Sequence, residues 1–157
     1  MELNEQIIDS WHIHNRILYY LMSAIPEEAL AGVSASKGRS VGQMLGHIHN
    51  VRLMWLEAAA PDLMSAVSKI AAGKKDTIEK AAVRAALEAS EKAVELLLQR
   101  GLESGRIKGF KPHPMAFYTY LTAHEWYHVG EIGITLTQAG YPLDQKVSYG
   151  IWEWGVR

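Results

Sequence analysis

The sequence predicts an all-α protein, a four-helix bundle with a short aromatic C-terminal tail. Apolar residues recur at helical spacing in four long segments, and turn and breaker residues separate those segments. Nowhere does a segment show sustained two-residue alternation with β-branched enrichment, as strands would. A chain of 157 residues is long enough to bury a core, and it is read as a single domain over residues 1–157.

The first helix is expected from about Leu3 to Ile25. Ile7, Trp11, Leu18, Leu21, Met22 and Ile25 line one face, and Pro26 with the following "EEALAGVSASKGR" ends it. The second opens at Ser40, where Ser40 and Gln43 stand at capping-box spacing and can satisfy orphan amides reciprocally. It runs to just before Pro61. The third begins near "DTIE", with Asp76 and Glu79 at the same spacing, and continues to about Leu102 through a segment rich in Ala, Glu, Leu and Lys. The fourth starts at Pro114, a favourable first-turn residue, and runs to Ala139; Gly140 stops it and Pro142 forbids resumption. The long connection from Pro61 to Lys75 has room for a short helical piece. The tail "LDQKVSYGIWEWGVR" is expected to fold back on the body. Segments of roughly 20–28 residues make rods of about 30–40 Å, as a bundle requires.

Composition excludes several function classes. The formal net charge is −1 with a pI near 6.7, so no broad basic field advertises nucleic acid or an anionic membrane surface. The apolar runs fall short of a membrane span, and the N-terminus lacks the basic-then-apolar pattern of a signal peptide. A cytoplasmic location is the expectation. There is no cysteine, which removes disulfides, thiolate nucleophiles and thiolate metal ligands together. Seven histidines become the candidates for chemistry.

"HEWYH", residues 124–128, spells H-E-x-x-H, the zinc-protease signature. At about 100° per residue, His124 and His128 lie about 40° apart on one face of the fourth helix. Tyr120, Glu131, Thr135 and Gln138 share that face, whereas Glu125 points about 100° away. In the second helix His47 sits at the edge of the apolar face, and His49 lies about 200° from it, so the two cannot share an ion. One histidine from the second helix with the pair from the fourth would give three neutral imidazoles, a set suited to Zn²⁺ or Ni²⁺ with positions left open. The competing reading of His47 or His14 is a hydrogen-bonded boundary histidine. The extended protease pattern fails, with Glu131 in place of its Gly and Ile134 in place of its third His. Glu153 is left as a distant third ligand for that reading, in an aromatic tail.

Over essentially its whole length the chain resembles the DinB-like family, also described as YfiT-like metalloenzymes. The resemblance rests on Trp11, Asn15 and Arg16 leading to "AIPEEAL", on "SVGQMLGHI", on "HEWYHVGEI", on the tail "GIWEWG", and on the order H-x76-H-x3-H. It implies an up-down-down-up bundle, often a homodimer, that binds a divalent metal, zinc or nickel, through His47, His124 and His128. It also implies a small-molecule substrate. Characterised members are similar to transferases or isomerases that use a low-molecular-weight thiol such as bacillithiol or mycothiol; others look like hydrolases. Where members commonly carry H-x-x-x-H-R-G-Q, this chain has Val129 for the Arg and Glu131 for the Gln. Glu131 is therefore the candidate catalytic residue, with three roles open: orienting a ligand histidine, acting as a base, or serving as a fourth ligand. Without cysteine, a thiol nucleophile must come from a cosubstrate. S-transfer is the preferred expectation and hydrolysis the alternative. A non-catalytic, metal-stabilised bundle that binds a partner is the third.

Overall fold

The computed structural model describes residues 1–36, 38–73 and 76–156. Its elements are α1 (Leu3–Ala24), α2 (Val41–Ala59), α3 (Lys80–Ser104), α4 (Pro114–Gln138) and α5 (Gln145–Gly150). Short 3₁₀ turns occupy Glu27–Ala31 and Pro61–Ala66; the second is the helical piece for which the long connection had room. The far end of that connection, Lys75, lies outside the described residues. Among these there is no strand, only isolated bridges pairing Val33 with Ser40 and Ile107 with Phe110.

Local chemistry sets most helix ends. Ser40 and Gln43 form the expected capping box on α2. The matching expectation for α3 is corrected: the Asp76 carboxylate accepts from the Gly73 amide at 2.7 Å, closing a turn before the helix. Helix α3 then begins at Lys80, whose amide donates to Glu27 Oε1 at 2.9 Å. On α4, His113 is the N-cap, its Nδ1 accepting from Ala116 N, and Pro114 follows as the first residue. Gly140 has φ +85, and Tyr141 N returns to Leu136 O, the left-handed stop its position implied.

Cross-helix contacts give the topology. Trp11 and Tyr19 both bond Glu91, while Ile25 meets Lys80, so α1 and α3 run antiparallel. His49 meets Ser90 and Asp62 meets Arg100, so α2 and α3 run parallel. Trp55 packs on Phe117 and His47 on His124, making α2 and α4 antiparallel. The result is an up-down-down-up bundle with α1 and α2 at opposite corners, each packed on α3 and α4.

Two apolar clusters fill the interior. One is built on Leu18, Met22, Leu45, Ile48, Leu87, Val129 and Ile132; the other on Trp11, Leu53, Leu56, Val94, Leu98, Phe117 and Leu121. Burying each such side chain contributes about 1.5–3 kcal/mol. Between the clusters lies a buried polar layer of His14, Asn15, His49, Arg52, Ser90 and Glu125. The tail folds back as expected: α5 packs on α1, and Trp152 stacks on Trp126 with ring centroids 6.3 Å apart.

Candidate metal centre

Antiparallel packing of α2 on α4 brings His47 opposite the gap between His124 and His128. Ring centroids lie 5.4 Å apart for His47–His124 and 4.8 Å for both His47–His128 and His124–His128. One nitrogen from each ring falls within 4.8 Å of the others. Nitrogens bonded to one tetrahedral ion stand about 3.4 Å apart, so small side-chain rotations close the set. The donors are imidazoles alone, with no carboxylate among them, a chemistry that fits zinc or nickel better than magnesium or calcium. His128 is buried, while His47 and His124 are partly exposed.

Glu131 sits one turn beyond His128, where its Oε2 lies 2.8 Å from His128 Nδ1. An ionised carboxylate only accepts, so this ring nitrogen carries the proton and Nε2 is left with its lone pair available. The other oxygen of Glu131 accepts from Ser36 Oγ, in the loop before α2. Two tyrosines flank the centre: Tyr120 stacks near His124 with an interplanar angle of 24°, and Tyr127 meets His128 edge-on at 5.1 Å.

Glu125, the acid that completes H-E-x-x-H, faces elsewhere. Fully buried, it accepts from Arg52 Nε at 2.7 Å, Arg52 Nη2 at 2.6 Å and His14 at 2.7 Å. Burial raises its pKa, but the Arg52 guanidinium and these hydrogen bonds outweigh burial and hold it at about 2. Trp126 Nε1 donates to His14 Nδ1 at 3.0 Å, so His14 donates to Glu125 from Nε2. The remaining contacts of Arg52 run to Asn15 Oδ1, Leu87 O and Ser90 Oγ. A carboxylate engaged in this way is a structural anion, and the protease pattern is a coincidence of spelling. Glu153 stays exposed in the tail.

The other histidines are likewise accounted for. His49 is buried between Ser90 Oγ and Ser68 O, and burial lowers its pKa. His12 faces Glu95 at 3.1 Å, and His113 caps α4. Two contributors had no sequence signal of their own. Ser36 is one of several serines in a loop, and Arg52 is recognisable only once it is seen to fall on a buried face of α2.

Fold and site together define a helix bundle in which two antiparallel helices present three imidazoles, a donor set able to hold one divalent ion. The chain belongs to the DinB family, whose family model matches residues 1–146. Comparison with curated proteins and with solved structures gives no match. No helix among the described residues is long and apolar enough to cross a membrane.

Proposed function

We propose that this DinB protein is a metal-dependent enzyme in which His47, His124 and His128 hold a zinc or nickel ion and a small-molecule thiol is activated for transfer to an electrophile. The observation that carries the reading is the convergence of three imidazole donors within 4.8 Å, with no carboxylate among the described residues in the set. A divalent ion in such a site supplies Lewis acidity that lowers the pKa of a bound thiol or water toward neutrality. The chain has no cysteine, so the thiol is a cosubstrate.

Glu131 is here a positioning residue. It fixes the His128 ring through Nδ1 and presents Nε2 to the ion, and Ser36 holds the carboxylate in turn. Of the three roles open to Glu131, orientation is the one this geometry supports, because both oxygens are already engaged. The tyrosine rings beside His124 and His128 present apolar faces to an incoming substrate.

Untagged protein, stripped and reloaded with zinc or nickel, is to be assayed for conjugation of several low-molecular-weight thiols to electrophiles. Metal content is measured in parallel on His47→Ala, His124→Ala and His128→Ala. The expected result is loss of stoichiometric metal and of thiol consumption in each variant. Full metal content in all three would refute the ligand set. Turnover of esters or amides with no thiol consumed would favour the hydrolytic alternative.

A further inference from the structure

We propose that the cavity between α4 and the C-terminal tail is a binding site for a small, uncharged aromatic molecule. It is open to solvent on one side and has a volume of about 580 Å³, within the range of small-molecule sites. Trp126, Trp152 and Trp154 wall it together with Leu21, and Gly130 and Gly133 form its floor on α4. No charged or hydroxylated side chain lines it among the described residues. A charged ligand would lose hydration there and gain no partner.

The cavity is separate from the candidate metal centre. Trp126, Gly130 and Gly133 stand at i, i+4 and i+7, one stripe of α4, and His124 lies about 200° around the helix from Trp126. The two glycines need a reason, since glycine is among the poorest residues for a helix interior. Elsewhere in the chain close packing supplies one: a Cβ on Gly42 would come within 2.9 Å of Ile78, and one on Gly101 within 2.2 Å of Ile107. At Gly130 and Gly133 nothing lies within 4 Å of where a Cβ would be. Among the described residues no other part of the chain occupies that space, and the room the glycines leave is the cavity.

The walls suit an aromatic guest. Trp126 is held by its hydrogen bond to His14, so one indole face is fixed in advance by the polar layer. Trp152, nearly parallel to it at 18°, is 69% exposed and lies at the rim with its apolar surface still to be covered. Ring stacking on indoles adds to simple area burial. Trp152 and Trp154 stand beyond residue 146, where the match to the family model ends. The concave shape and neutral lining favour a small guest over a second copy of the protein.

The test uses full-length protein titrated with indole and with 1-naphthol, followed by the indole N–H resonances of its five tryptophans in ¹H–¹⁵N spectra. Saturable shifts are expected at Trp126, Trp152 and Trp154 and not at Trp11 or Trp55. Gly133→Leu replaces a poor helix former with a good one and fills the cavity, and it should weaken binding at least tenfold; Trp152→Ala, at an exposed position, should weaken it severalfold. Absence of saturable shifts, or undiminished binding by both variants, would overturn the proposal. So would naphthoate binding as tightly as naphthol. Concentration-dependent self-association that Gly133→Leu abolishes and the probes leave untouched would assign the face to a second copy, and would overturn it as well.

Discussion

Replacing Glu125 by Gln separates a structural acid from a catalytic one. In the folded protein the carboxyl is held at about 2 against an ordinary 4.5. At about 1.4 kcal/mol per unit, the surroundings favour its ionised form by roughly 3 kcal/mol. Glutamine keeps the shape but removes the charge, leaving the fully buried Arg52 with neutral hydrogen-bond partners only. Breaking a buried pair in this way costs about 3–5 kcal/mol. For a chain of this size that is a fall in melting temperature of roughly 10 °C. Urea unfolding at pH 7 and 25 °C, with a thermal melt alongside, measures both.

The same shift fixes a pH dependence. The folded pKa lies below the unfolded one, so this stabilisation is complete above about 4.5 and is lost as pH falls toward about 2. Glu125→Gln should lack that part of the acid slope. Zinc or nickel affinity of the variant should stay within a few-fold of the parent, because the three imidazoles are untouched and the glutamine carbonyl still accepts from Arg52, which keeps the α2–α4 register. A stability change below 0.5 kcal/mol with abolished turnover would refute the structural role and restore Glu125 as a catalytic base. Replacing Arg52 and Glu125 together by Met and Leu should recover most of the lost stability, since a packed apolar pair avoids the desolvation of two charges.

Ser40→Ala removes one half of the α2 capping box and should destabilise the protein by about 1 kcal/mol in urea unfolding. Gly101→Val brings a Cβ to the place where Ile107 Cδ1 now lies 2.2 Å away; overpacking of about 1–3 kcal/mol is expected from the same assay. His49 is buried with a lowered pKa, so the unfolded chain takes up a proton first as pH falls below 6.5, and stability is lost in that direction. His49→Gln should flatten the dependence between pH 7 and 5.5, and an unchanged slope would count against the assignment.

Much of the fold was legible because helix signals are local. Ser40 and Gln43 sit within one turn, and the box forms as the spacing implies. Asp76 and Glu79 have the same spacing, yet Asp76 is recruited by the Gly73 amide in a turn that no helical pattern announces. The site was legible to the extent that it lies on one helix. The stacking of His124 and His128, and the departure of Glu125 from their face, follow from 100° per residue. His47 is different: nothing within α2 says which histidine meets α4, and the assignment came from family resemblance. Arg52 and Ser36 went unseen for a related reason. Each finds its partner in a distant segment, Glu125 for the one and Glu131 for the other, and sequence periodicity has no term for packing between helices.

The buried layer has a further consequence for the site. A buried ion pair is weak as a source of stability but well suited to specifying one arrangement over its neighbours. Here it joins the two helices that carry the triad: Arg52 lies five residues beyond His47 on α2, and Glu125 directly follows His124 on α4. Sliding α2 along α4 by a single residue would move His47 by about 1.5 Å and carry Arg52 away from a carboxylate it now grips at 2.6 and 2.7 Å. Apolar side chains of either cluster tolerate such a slip better than a bidentate hydrogen bond does. Glu125 thus serves the three histidines from a neighbouring face of its own helix, about 100° round from His124, by holding α4 in the register that sets His47 against His124 and His128.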